Sequence, residues 1–111
     1  MTQRNPRIAI GQMADHTEEV IRLTTLLDRE ELESNRILSL AIVRLLEIIG
    51  EAAARVPEVE RANHPGIPWR EIVDLRNRLI HGYDSIDYDV LWSIIKHDLP
   101  PLAVELQQIL G

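Results

Sequence analysis

Apolar residues recur at spacings of three and four along almost the whole chain. No stretch sustains the apolar–polar alternation of a half-buried strand, and no Asn-Gly or Asp-Gly pair marks a hairpin. The pattern predicts a string of helices. The first runs from about Pro6 to Leu27, with Asn5 as N-cap and a stripe of Ile10, Met13, Val20, Leu23, Leu26 and Leu27. Gly11 and Asp15–His16–Thr17 weaken that stripe. Asp28 is a cap for the next turn, Arg29-Glu30-Glu31. The segment NRILSLAIVRLLEIIGEAAARV, residues 35–56, is apolar around most of its circumference. Its polar residues Arg44, Glu47 and Glu51 are three and four apart, so they form one narrow stripe. A helix this apolar has to be covered on several sides. We expect it at the centre of a bundle, with one side open to a second subunit.

Pro57 ends that helix. PEVERANHPGIPW, residues 57–69, reads as a short helical turn and a connector, because it holds three prolines and a glycine. Pro68 then opens a helix that the pattern carries to about Gly82. Gly82 to Asp87 forms a loop, and Asp87 caps a last helix through Val90, Leu91, Ile94 and Ile95. Pro100 and Pro101 kink or restart it before Leu102, Leu106, Ile109 and Leu110.

One residue does not fit its place. At about 100° per residue, Ile72 and Ile80 fall about 40° to either side of Arg76, and Val73 and Leu79 about 60° away. A guanidinium near the middle of an apolar arc needs a partner or a cleft. Glu47 and Glu51 are candidate partners, and the bland reading is a buried Arg–Glu pair between two helices. Arg70, Asp74, Asn77, Arg78 and His81 fall on the opposite side, with Asn77 and His81 four apart. Arg76, Asn77 and His81 join a fixed cation suited to a phosphate, a polar amide and a group that titrates near neutral pH. On one straight helix the arginine and histidine are about 140° apart. A site using both needs the helix to break near Gly82, or a second copy to complete it.

Composition narrows the setting. The chain has 111 residues, 45% apolar and 27% charged, which suits a single domain spanning 1–111. It has no cysteine, which excludes disulfides and thiolate metal sites. No metal-binding pattern or cofactor motif is visible. No apolar run reaches the length of a membrane span, and MTQRNPRIAIGQ has no apolar block of signal-peptide length. The expectation is a cytoplasmic protein with no membrane partner. The net charge of −6 argues against broad nucleic-acid binding but leaves room for a local basic site, which a two-fold dimer could assemble from both copies.

RNRLIHGY, residues 76–83, resembles the R-x4-H-x-Y motif of the HepT-like proteins of the HEPN superfamily, small helical ribonucleases. LLEIIGEAA before it, HPGIPWREIVDLRNRLIHGYDSIDYDVLW through it and DLPPL after it extend the resemblance over roughly residues 35–105. The resemblance implies an all-α, antiparallel HEPN-type bundle of about four to five helices that forms a homodimer, with motif helices from both copies lining a shared cleft. It implies metal-independent RNA cleavage and the role of toxin in a type II-like toxin–antitoxin pair. Arg76, Asn77 and His81 are the implied catalytic residues, with Asn77 filling the polar position after the arginine and orienting the histidine or the phosphate. Tyr83 is the implied acceptor of AMP from a cognate minimal nucleotidyltransferase antitoxin.

A competing reading is a non-catalytic helical partner of a nucleotidyltransferase that binds nucleotide or RNA through Arg76. A purely structural helical protein is a third. Tyr83 could simply pack over a helix end. His16, His64 and His97 are scattered, Trp69 and Trp92 read as packing residues, and Tyr88 lies outside the motif. DREELE, residues 28–33, reads as a solvated first turn.

Overall fold

A computed structural model describes residues 5–81 and 85–111, with the backbone only for His81. The first helix, α1 (Pro6–Thr24), starts where Pro6 supplies a fixed φ and the Asn5 side chain accepts from the Arg7 N–H. It stops three residues short of the expected Leu27. The Thr24 and Thr25 hydroxyls donate to the carbonyls of Val20 and Ile21, a competing bond that weakens a helix end. Leu26 is consequently outside the stripe and 94% exposed. The next helix, α2 (Arg29–Ser34), begins with a capping box: the Glu31 N–H donates to Asp28, and the Glu31 carboxylate accepts from the Asp28 N–H.

Helix α3 (Arg36–Ala54) is the centre of the fold, as its sequence demands. Asn35 caps it through the Leu38 N–H. Ile42, Leu46 and Ile49 are fully buried, and α3 packs against α1 and α2 as well as the later segments α5 and α6. Full burial of a side chain of that size contributes about 1.5–3 kcal/mol. The helix ends where Arg61 reaches back: its Nε donates to the Val56 carbonyl and its Nη2 to those of Ala53 and Ala54. Arg61 sits on α4 (Glu58–Ala62), the short turn expected after Pro57. The connector beyond is pinned by Trp69, whose indole N–H donates to the carbonyls of Arg61 and His64. Trp69 is thus a packing residue.

The segment after Pro68 departs from one continuous helix. It is split into α5 (Trp69–Val73) and α6 (Leu75–Leu79), with Asp74 between them. It ends at Leu79, not near Gly82. The chain then forms β1 (Ile80–His81), antiparallel to β2 (Ser85–Ile86), with Ile80 opposite Ile86 and His81 opposite Ser85. The Asp87 N–H donates to the Leu79 carbonyl, closing the turn from helix to hairpin. No strand was expected here, because two residues are too few to show alternation.

Asp87 caps α7 (Tyr88–Ser93) through the Val90 N–H, as expected. Ile94–Asp98 is a π-helical turn, and α8 (Leu99–Leu110) restarts around Pro100 and Pro101. This helix lies along α1, and Arg7 donates to the carbonyls of Ile109 and Leu110 at its end. Among the described residues the architecture is an all-α bundle with one minimal hairpin. Among the described residues no helix is long and apolar enough to cross a membrane.

Candidate active site

The packing face of α5 and α6 is Trp69, Ile72, Leu75 and Leu79, all buried. Val73 is 40% exposed and the Arg76 side chain 70% exposed. Arg76 is therefore not in the middle of a buried arc. The break at Asp74 means that a single 3.6-residue wheel does not describe the segment, and the core lies to one side of the arginine. The bland reading of a buried Arg–Glu pair between two helices does not hold, because the arginine is exposed. Glu47 is the partner, but Arg76 Nε stands 3.9 Å from Glu47 Oε2 at an open surface. Such a pair is worth under about 1 kcal/mol.

What Arg76 does reach is a groove. Glu47, Gly50, Glu51, Ala54, Val73 and Arg76 line a volume of about 260 Å³ between α3 and the α5–α6 segment. The polar stripe of α3 forms its wall: Arg44 Nη1 lies 3.1 Å from Glu51 and 3.7 Å from Glu47. Gly50 sets the depth of this groove. A Cβ built there would come within 2.8 Å of the Ile72 carbonyl oxygen, so the backbones of α3 and α5 meet at a distance only glycine allows. Gly50 drew no attention in the sequence, although a lone glycine inside so strong a helical pattern is a recognised sign of close packing.

Asn77 is exposed on α6, and its side-chain amide donates to Asp74 at 2.7 Å. Once the helix stops at Leu79, Asn77 and His81 are no longer neighbours on one helical face. Asn77 instead braces the residue where the segment breaks. The His81 backbone follows Arg76 by less than two turns, after a switch from helix to extended chain. That switch takes the arginine and histidine off a common helical wheel, three residues earlier than Gly82. The His81 side chain lies outside the described residues, and so do Gly82 and Tyr83.

The other histidines are placed elsewhere. His16 contacts Glu19 and His64 contacts Glu60, each within one helical turn. His97 lines a larger cavity of about 520 Å³ that opens against α8, with Arg78 and Asp98 at 3.6 Å on its rim. That cavity contains neither Arg76 nor Asn77. Trp92 carries Lys96 over its ring, 4.6 Å from the centroid. Among the described residues no group of three or more His, Asp or Glu side chains is arranged to hold a metal ion.

A family model described as ribonuclease HepT-like matches residues 13–109. The chain belongs to the HepT-like ribonuclease family. The match takes in most of α1, well beyond the segment from 35 to 105 that carries the motif resemblance. A relative from Methanocaldococcus jannaschii, whose name marks it as a candidate RNase, is 37% identical over 107 residues, covering 96% of this chain and 98% of its own. The probable ribonuclease HepT of Thermococcus cleftensis is 33% identical over 107 residues, covering 96% and 97% respectively. A relative from Caldanaerobacter subterraneus subsp. tengcongensis, also named as a candidate RNase, is 33% identical over the same length. No solved structure gives a significant match. In this HepT-like chain the motif arginine thus belongs to the open groove, and the motif histidine to the hairpin that follows.

Proposed function

We propose that this protein is a metal-independent endoribonuclease in which Arg76 and His81 cleave RNA. The observation that carries the reading is the exposed Arg76 guanidinium in the α3–α5 groove. Its single ionic contact among the described residues is loose, so it can take a phosphate. The relatives' names supply the substrate class. In the reaction, the 2′-oxygen of one ribose bonds to the adjacent phosphorus while the bond from phosphorus to the 5′-oxygen breaks. His81 moves the proton that leaves the 2′-hydroxyl or the one the 5′-oxygen gains. Arg76 stabilises the negative charge that builds on the phosphoryl oxygens. The nucleophile comes from the RNA itself, so no metal is called for. Asn77 acts through Asp74, holding the segment that presents Arg76.

A homodimer completes this site. On α3, Ile37 is 84% and Leu40 47% exposed, on a surface that leads to Arg44 and the groove, where Val73 is also exposed. A second copy would cover these side chains and turn an open groove into a cleft lined from both sides. Sedimentation at micromolar concentration is expected to give a dimer. A monomer alone would remove the shared cleft from the account.

The protein acts as the toxin of a toxin–antitoxin pair, in the cytoplasm. Its antitoxin is a minimal nucleotidyltransferase that adds AMP to Tyr83. In that transfer the tyrosyl oxygen bonds to the α-phosphorus of ATP, pyrophosphate leaves and the hydroxyl proton is lost. Each AMP places an anion two residues from His81, where the RNA phosphate has to enter. The test is incubation with the partner and ATP, followed by intact mass, peptide mapping and an RNA-cleavage assay. One or more AMP units on Tyr83 with cleavage abolished is the expected result. Adduct on Tyr88 alone would move the site, and no adduct from an active partner would leave direct occlusion as the means of control.

A further inference from the structure

Glu47 places a carboxylate oxygen 3.9 Å from Arg76 Nε in the groove, and its placement gives it a defined task. We propose that Glu47 is a positioning residue that aims Arg76 at the scissile phosphate, an inference that rests on the ribonuclease reading above.

The two partners are unequally held. Arg76 belongs to a five-residue helix and is 70% exposed, whereas Glu47 belongs to the central helix and is 23% exposed. The carboxylate is therefore the fixed member. It faces Nε of the guanidinium at 3.9 Å, and no hydrogen bond links either terminal nitrogen of Arg76 to another described residue. A guanidinium offers its N–H donors along two forked edges. Tethering at Nε leaves the fork of the two terminal nitrogens for a phosphate. The separation exceeds hydrogen-bond length, so Glu47 restrains the arginine by charge without consuming its donors.

Glu47 is itself restrained. Its Oε2 lies 3.7 Å from Arg44 Nη1, and the same nitrogen is 3.1 Å from Glu51 Oε1. The carboxylate thus sits between two guanidinium groups, and Arg44 offsets part of the charge that an incoming RNA phosphate would feel.

One carboxylate beside a phosphate site has two opposed effects. It sets the direction of Arg76, which matters most when charge develops in the transition state. It also repels the bound phosphate, which weakens binding. Removing its charge should lower kcat and KM together, and a residue that only supports the fold would not produce that split.

The experiment measures cleavage of an RNA oligonucleotide by wild type, Glu47→Gln, Glu47→Asp and Arg76→Ala, each checked for helicity and melting temperature. Glu47→Gln is expected to lose about tenfold or more in kcat, since a misplacement of about 1 Å can cost on the order of a hundredfold. Its KM should be equal to or below that of wild type. Glu47→Asp keeps the charge one methylene further back, so it should recover part of the loss in kcat. A folded Glu47→Gln with wild-type kcat, beside an active wild type and an inactive Arg76→Ala, would overturn the positioning role and leave the ribonuclease reading standing. So would a fall in kcat fully matched by loss of folded protein. Wild type that cleaves no more RNA than Arg76→Ala would overturn both.

Discussion

Arg76→Ala and His81→Ala are each expected to abolish RNA cleavage while the protein stays folded. The two losses have separate causes. Arg76 is 70% exposed and makes one loose ionic contact among the described residues, so its removal should cost the fold under about 1 kcal/mol. Its proposed catalytic contribution is of another order. Losing one charge-stabilising donor lowers a rate by about a hundredfold to a thousandfold, or roughly 3–4 kcal/mol. A general acid–base contributes about 10²- to 10⁴-fold, which sets the expected loss for His81→Ala. The wide gap between stability cost and rate cost makes Arg76 a clean probe. The measurement pairs single-turnover cleavage with thermal melts on the same samples, and chelator should leave the wild-type rate unchanged. Full cleavage by a folded, dimeric His81→Ala would remove the histidine from the chemistry and favour a module that only binds.

Gly50→Val is expected to destabilise the protein by about 3 kcal/mol, at the upper end of the usual cost of overpacking. The added Cβ would sit 2.8 Å from the Ile72 carbonyl oxygen, a backbone atom that cannot rotate away. The α5 segment would have to move. Gly50→Ala tests the same contact with a compensating gain, because alanine favours a helix interior over glycine by about 1 kcal/mol. Overpacking costs about 1–3 kcal/mol, so the alanine variant should come out near neutral to moderately destabilised. Valine keeps only part of the helix gain and brings two more methyl groups, so its melt should fall well below that of alanine. Any relief of the clash shifts α5 and α6 away from α3 and carries Arg76 from Glu47. Cleavage by Gly50→Ala should therefore fall more than its stability. Wild-type melts for both variants would show that the approach of α3 and α5 is looser than 2.8 Å implies.

The parts of the fold that the sequence states locally are the parts it states well. Asn5, Asp28 and Asp87 cap helices because a side-chain oxygen three or fewer residues from an unpaired N–H needs no distant partner. The centrality of α3 is equally legible, since a helix apolar nearly all round has few other places to go. The break at Asp74 is not legible: every residue from Trp69 to Leu79 is compatible with one helix, and the interruption goes with the packing of Ile72 onto Gly50. That break also explains why a continuous wheel placed Arg76 amid apolar neighbours. The hairpin is invisible for a different reason. Strands of two residues carry no period, and their pairing depends on Leu79 and Asp87 meeting across the turn. The motif resemblance pointed to Arg76 and His81 without the geometry that relates them. Glu47 was visible only as a possible ion-pair partner, because its relation to the open edge of the guanidinium is a matter of tertiary placement.

If His81 is catalytic as proposed, that hairpin sets how the activity responds to heat. The arginine side of the site is built on a helix packed against the core, whereas the histidine belongs to a ladder of two residue pairs. A ladder so short has little cooperativity of its own and opens at a free-energy cost below that of global unfolding. Two thresholds are therefore expected. As temperature rises, the backbone that carries His81 should part from its neighbour while α3 is still fully packed. The Asp87 amide proton, which donates to the Leu79 carbonyl, would exchange ahead of those along the central helix, and the enzyme would fall silent as a folded protein. Cooling would return it to work with no refolding step, a reversible idling state set by four residues.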